Sequence, residues 1–291
     1  MVVTAARPRD GTVVRSRAEF LAARRRLGQG SVGAVLTMGA LHGGHEALLD
    51  AARSAHDHVV ATVFVNPTQF SPTEDLARYP RPLAADLAVL QAHKVDLVWT
   101  PAVADIYPGP AAIGIDPGPL GRELEGASRP THFPGMLLVV AKFLHLIRPD
   151  VAYFGEKDYQ QLTLVRAMAR DLELPVEIAG VATVREADGL ARSSRNVFLD
   201  PGQRAQAAVL WRALSGARAA GPDGADAVLD AARAELARAT GVDVDYLELR
   251  GPDLGPAPAS GPARMLVAAR VGPTRLIDNV AVDIAAPALS V

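Results

Sequence analysis

Two histidines three residues apart, His42 and His45, stand among glycines in the stretch Leu36-Thr37-Met38-Gly39-Ala40-Leu41-His42-Gly43-Gly44-His45. An imidazole pair so spaced can hydrogen-bond phosphate oxygens and neutralise charge that develops in a transition state. Lys157, in Gly155-Glu156-Lys157-Asp158, offers a phosphate a point charge, and Ser193, Ser194 and Arg195, after Arg192, offer hydroxyl and guanidinium donors. Asn66, Gln69 and Gln161 add neutral amides of the kind that suit hydroxyl and carboxylate groups. Each group alone has a plainer reading. A lone histidine near a helix start is a cap, Lys157 and Asp158 are cap-region charges, Asn66-Pro67 is turn chemistry, and an arginine-serine cluster is a solvated loop. Two chemical sites at the ends of strands favour a nucleotide.

The elements that must position these groups are readable from pattern. Gly33 to Leu36 is an apolar strand, and Glu46 to Ala55 has helical spacing, so the histidines fall where a strand hands over to a helix. The first N–H groups there lack intrahelical partners and the helix dipole is positive, which welcomes an anion. A helix starting near His42 puts both imidazoles on one face, and Gly39, Gly43 and Gly44 let a ligand approach the backbone. The β-branched run His58 to Asn66 predicts a strand buried on both faces, completing a parallel crossover whose ligand site lies at the strand C-termini. A second such transition joins the strand Val151 to Phe154 to a helix through Ala169, with Leu162, Val165 and Ala169 inward.

Further elements fill in the frame. Ser16-Arg17-Ala18-Glu19 is a capping box for a helix over 17–27, and Leu83, Leu87 and Leu90 predict a helix that carries Asp86 away from its apolar stripe. The polar, proline-bearing stretch 71–82 reads as a flap, 95–100 as a strand, 104–134 as an ordered excursion, 135–147 as a buried helix and 176–184 as another strand. After residue 184 the texture becomes α+β, with helices over 203–219 and 225–239 and strands over 242–250, 264–271 and 274–284, the last two joined at Gly272-Pro273. The expected fold is α/β: a Rossmann-like parallel-sheet domain over 1–184 and a smaller α+β C-terminal lid domain over 185–291.

Length and composition set the class. The 291 residues are 49% hydrophobic and 21% charged with a net charge of -2, a soluble globular balance that gives no reason to expect nucleic acid or a membrane surface. The absence of cysteine excludes disulfides, thiol nucleophiles and thiolate metal sites, and suits a cytoplasmic protein. No signal-peptide pattern, membrane-spanning run or solenoid repeat is evident.

The His-x-Gly-His spacing resembles the signature of the nucleotidyltransferase superfamily. The longer Thr37-to-His45 motif resembles the pantothenate synthetase family, as do Phe64-Val65-Asn66-Pro67-x-Gln69-Phe70, Glu74-Asp75-Leu76-x-x-Tyr79-Pro80-Arg81, Arg129-Pro130-Thr131-His132-Phe133, Phe154 to Gln161 and Arg185 to Asn196. The resemblance covers nearly the whole chain. It implies an enzyme that joins pantoate to β-alanine through pantoyl adenylate, with ATP and magnesium, as a cytoplasmic homodimer. Carried over by position, it implies that ATP is held by Met38, Gly39, Ala40, Leu41, His42, Gly43, Gly44 and His45, by Gly155, Glu156, Lys157 and Asp158, by Val184, and by Arg192, Ser193, Ser194 and Arg195. His45 is then the proton donor, with His42, Lys157 and Arg195 also catalytic; Gln69 and Gln161 hold pantoate, Asn66 lies close by, and Asp86 is associated with magnesium. Leu36, Ala85 and Arg192 depart from the residues usual in that family. Two rival functions are a nucleotidyltransferase acting on a phosphorylated substrate and a non-catalytic nucleotide binder; the neutral glutamines oppose the first, and the intact His42, His45, Lys157 and Arg195 oppose the second.

Overall fold

The computed structural model describes residues 11–70, 76, 79–109 and 111–286, so most of the 71–82 stretch expected as a flap lies outside the described residues. A short strand, β1 (Thr12–Val14), precedes helix α1 (Arg17–Arg26). The expected capping box starts that helix: Ser16 Oγ accepts from the Glu19 N–H at 3.2 Å, and Glu19 Oε2 accepts from the Ser16 N–H at 3.0 Å. Then come β2 (Val32–Thr37), α2 (Gly43–Ala55), β3 (His58–Val63), α3 (Leu83–Ala92) and β4 (Leu97–Trp99). β3 stops short of Asn66 because that residue caps a 3-10 turn, Pro67–Gln69. Helices α4 (Val103–Ile106) and α5 (Glu125–Ser128) punctuate the Pro/Gly-rich excursion. α6 (His132–Ile147), β5 (Val151–Gly155), α7 (Tyr159–Asp171) and β6 (Glu177–Val181) follow.

Strands β1 to β6 form one parallel sheet in the order β1-β4-β3-β2-β5-β6. The winding direction reverses between β2 and β5, which pair at Gly33↔Val151 and Val35↔Tyr153. In open parallel sheets, ligands bind outside the strand C-termini at such a reversal. Both predicted phosphate segments continue from these two strands. Strand alternation divides the core between two faces. Val35, Val59, Ala61 and Val98 pack with Leu48 and Leu49 of α2 and Leu90 of α3, while on the other face Trp99 stacks on Phe20 of α1 at 4.3 Å and meets Phe143 of α6 edge-on at 5.5 Å.

The remaining elements are α8 (Pro201–Ala207), α9 (Val209–Ala219), α10 (Ala225–Ala237), β7 (Val242–Arg250), β8 (Gly261–Val271) and β9 (Thr274–Ile284). The single helix expected over 203–219 is thus two, divided at Ala208. The strands form an antiparallel sheet, β7-β8-β9, and the β8–β9 hairpin turns at Gly272, whose φ of +56° is a left-handed conformation that favours glycine. Leu210, Leu214 and Val228 of α9 and α10 join Met265, Val267, Val280 and Val282 of this sheet in one apolar core.

The chain divides into two compact units, Met1–Gly155 with Leu164–Val181 and Glu156–Thr163 with Ala182–Val291. Chain order counts Glu156–Thr163 with the N-terminal domain; packing groups it with the C-terminal one, for reasons that lie in β9. No helix among the described residues is long and apolar enough to cross a membrane.

Candidate active site

In the first unit, the loop leaving β2 turns through two residues of positive φ, Gly39 (+83°) and Ala40 (+51°). Asp86, at the start of α3, holds that turn: its Oδ2 accepts from the Ala40 N–H at 3.0 Å and its Oδ1 from the Leu41 N–H at 2.8 Å. A Cβ on Gly39 would stand 2.8 Å from Asp86 Oδ2, so both the turn and the carboxylate require glycine there. Asp86 is 2% exposed, which corrects the expectation that α3 carries it away from the apolar stripe; Leu83, at 37%, is the residue left outside. The helical pattern placed an anion in solvent, whereas two backbone donors from a distant loop allow it to be buried.

The loop delivers both histidines to the mouth of α2. His42 is the N-cap; its Nδ1 accepts from the Gly44 N–H at 3.1 Å, while His45 Nδ1 accepts from the His42 N–H at 3.3 Å. The rings lie 4.2 Å apart between centroids. A nitrogen that accepts carries no proton, so these bonds assign the Nε2–H tautomer to both rings and make Nε2 the donor. Gly44 also has a steric reason, since a Cβ there would meet His42 Cε1 at 2.9 Å.

Asn66 and Gln69 are both buried, and they do different things. The Asn66 amide donates to Gln69 Oε1 at 3.0 Å and to the Gly135 carbonyl at 3.1 Å, while its Oδ1 accepts from the hydroxyls of Tyr107 at 2.8 Å and Thr68 at 3.0 Å. Burial pushes the Tyr107 phenol above its ordinary pKa, which keeps it a donor. Gly135 permits this approach, because a Cβ there would lie 2.1 Å from the Thr68 carbonyl oxygen. Asn66 is therefore an anchor for Gln69, whose Nε2 reaches Met38 Sδ at 3.1 Å. The structure brings together Met38, Gln69 and Asn66 in one network and Gly39 to Leu41 with Asp86 in another.

In the second unit, Glu156–Asp158 forms a 3-10 turn ahead of α7. Lys157 Nζ lies 3.8 Å from Asp158 Oδ1, and Glu156 lies 3.5 Å from Arg264. Gln161, two residues into α7, belongs to this unit, whereas Gln69 belongs to the other. Gly155, at the end of β5, has neither a positive φ nor any atom within 4 Å of a Cβ position, so packing gives no reason for glycine there. Arg185 and Ala191 pair across the turn at Asp188-Gly189, and Val184 accepts from the Arg192 N–H at 2.9 Å. Ser193 Oγ accepts from the Arg195 N–H at 3.2 Å, a role that leaves the hydroxyl's own proton to donate. Arg192 lies 3.7 Å from Glu186, and among the described residues no ion pair involves Arg195.

Among the described residues, no neighbouring metal-binding side chain supports the magnesium role expected of Asp86. Both of its oxygens are engaged by loop N–H groups inside the protein, and no group of three metal-binding side chains assembles among the described residues.

Residues 12–281 match the family described as pantoate-beta-alanine ligase. The chain belongs to that family. The pantothenate synthetase of Salinispora arenicola is 57% identical over 277 residues, covering 94% of this chain and 98% of that protein. Pantothenate synthetase 4 of Frankia alni is 61% identical over 247 residues, 84% of this chain and 81% of that one. The solved pantothenate synthetase of Thermus thermophilus matches with a TM-score of 0.87 at 48% identity, covering 92% of this chain and 98% of that one. The pantoate-beta-alanine ligase of Francisella tularensis, solved with beta-gamma ATP and beta-alanine, matches at 0.78 and 33% identity, covering 93% and 97%. This ligase therefore shares the fold of pantothenate synthetases, and the expected class of enzyme is met. Reading the ligase sequence by motif missed Asp278 and Asn279, although two polar residues inside the run Leu276 to Val280 were a visible interruption of an apolar strand.

Proposed function

We propose that this ligase joins pantoate to β-alanine with ATP, through pantoyl adenylate, releasing pyrophosphate and then AMP. The observation that carries this reading is the Met38-to-His45 loop. Both imidazoles accept backbone N–H groups at Nδ1, which puts the ring proton on Nε2, and the neutral amide of Gln69 contacts Met38 of the same loop. A carboxylate is already a nucleophile at neutral pH, so pantoate attacks the α-phosphorus without a covalent protein partner, and pyrophosphate leaves with the electron pair of the broken P–O bond. The amine of β-alanine, once deprotonated, then attacks the activated acyl carbon and AMP leaves. What the chain must supply is positioning and neutralisation of charge.

In this reading, ATP is contacted by Met38 to His45, Gly155, Lys157 and Asp158, Val184, and Arg192 to Arg195. His45, with His42 beside it, donates to phosphate oxygens as charge moves onto pyrophosphate, while Lys157 and Arg195 balance that charge. Gln69 and Gln161 hold pantoate, with Asn66 behind Gln69. Magnesium enters as a companion of the ATP phosphates, with no side chain of this chain assigned to it. The cytoplasmic, homodimeric state rests on family resemblance.

The test is pyrophosphate release from ATP and magnesium in the presence of pantoate, with and without β-alanine. Pantoate alone is expected to give up to one equivalent per active site, and β-alanine to allow turnover with AMP. Pyrophosphate released with another acid but not with pantoate would overturn the substrate. His45→Ala is expected to slow adenylate formation by roughly 10²-fold or more, and an unchanged rate would remove His45 from the mechanism.

A further inference from the structure

Strand β9 carries two adjacent polar residues inside its buried stretch, Asp278 and Asn279. Successive strand residues point to opposite faces. Asp278 shares the face of Leu276, Val280 and Val282, which pack in the apolar core with α9 and α10. There it accepts both arms of Arg185, at 2.6 and 2.9 Å, and the Arg185 guanidinium lies 3.8 Å over the ring of Trp211 of α9. Its Oδ1 also accepts from the Asn279 backbone N–H at 2.7 Å. Asn279 faces the other way. The register Arg264↔Ala281 and Leu266↔Asn279 puts Arg264 diagonally beside it on that second face.

On that face, the Asn279 amide uses both of its protons and its oxygen. Its Nδ2 donates to the carbonyls of Glu156 and Lys157, at 2.9 Å each, and its Oδ1 accepts from Arg264 at 3.0 Å. Because an arginine can only donate and carbonyls can only accept, the amide has one possible orientation. Arg264 is fixed in turn, 3.8 Å over the ring of Tyr159, whose hydroxyl donates to the Pro252 carbonyl at 2.8 Å. The backbone on both sides of the Lys157 Cα is thereby tied to one strand of the antiparallel sheet. The Glu156–Asp158 turn is too short to hold itself by repeating hydrogen bonds, so its orientation depends on this external clamp.

We propose that Asn279 is a positioning residue for the adenylation step, which sets the Lys157 ammonium by holding the two carbonyls that flank its Cα. This rests on the reading of Lys157 as a phosphate-binding cation. Displacing a charged group by about 1 Å from its place can cost on the order of 10²-fold in rate. Asn279→Ala, which keeps the strand but removes both donors, is therefore expected to lower kcat for pyrophosphate release with ATP and pantoate by about 10-fold or more while leaving KM for pantoate within about 2-fold.

The deciding experiment is a double-mutant cycle with Lys157→Ala. If Asn279 acts through Lys157, Asn279→Ala adds less than about 2-fold once Lys157 is gone, because the two changes remove the same interaction. A general structural lesion multiplies instead, and multiplicative losses would overturn the proposal, as would a wild-type kcat for Asn279→Ala. Arg264→Met removes the donor that orients the amide, along with the Glu156 ion pair and the guanidinium over Tyr159, but keeps both Asn279 donors, and serves as the second lesion if Asn279→Ala does not fold; the same cycle then applies to it. A Lys157→Ala single variant with wild-type kcat would instead sink the phosphate reading of Lys157, an outcome visible without any change at Asn279.

Discussion

Asp86 shows how one buried carboxylate can hold a loop that is distant from it in sequence. Its two bonds fix Ala40 and Leu41, the residues that carry the chain from β2 to the His42 N-cap. Replacing it with alanine leaves those N–H groups without an acceptor, a loss of roughly 2–3 kcal/mol for paired charge-assisted bonds. Asp86→Ala is accordingly expected to lower the melting temperature and to reduce adenylate formation, while the magnesium concentration giving half-maximal activity stays where it was. Thermal denaturation and a magnesium titration check this together. An unchanged melting temperature with a raised magnesium requirement would assign Asp86 a metal role instead. The same residue marks a limit of sequence reading. The placement of His42 and His45 at the strand-to-helix junction was legible because it is set by a local motif, whereas the partners that let Asp86 be buried lie 45 and 46 residues away in the chain and leave no local pattern.

Among the elements, those with several turns or a long β-branched run were legible, and those held by tertiary contacts were not. The histidine-bearing helix, β3 and the hairpin of β8 and β9 follow from periodicity and turn residues. β1 has three residues and exists because it pairs with β4, so no window of sequence could report it. Helix α1 was readable to its cap, and that cap has a pH signature. Backbone N–H groups of Ser16 and Arg15 bond the Glu19 carboxylate and hold its pKa below the ordinary 4.5. A carboxyl whose folded pKa is depressed stabilises the fold above its unfolded pKa, and that contribution is lost as pH falls through the folded value. Glu19→Gln cannot titrate. Its urea midpoint should therefore fall below that of the parent near neutral pH, and the two should converge in acid below the folded pKa. A gap that persists unchanged into acid would show that the ionised carboxylate is not the stabilising form.

For the whole molecule, the second unit is discontinuous in sequence, and the reason is a specific set of bonds. Asn279 holds the carbonyls of Glu156 and Lys157, Arg264 covers the Tyr159 ring, and Tyr159 reaches the Pro252 carbonyl. Residues 156–163 follow directly on the last residue of β5, so a reading along the chain assigns them to the parallel-sheet domain; only the polar face of β8 and β9 says otherwise. A fragment beginning at residue 182 would keep α8 to α10 and all three antiparallel strands. It would nonetheless strip Asn279, which is 4% exposed in the full chain, of both its carbonyl partners, and take from Arg264 the ring beneath it. Unpaired polar groups on a sheet face are hydrated and loosen the strands that carry them. Backbone amides of β8 and β9 are therefore expected to exchange faster with deuterium in the 182–291 fragment than in the full chain. Adding a peptide of residues 156–163 should restore part of that protection in the fragment but not in its Asn279→Ala variant. Equal protection of β8 and β9 in fragment and full chain would mean that these strands need nothing from the segment that bears Lys157.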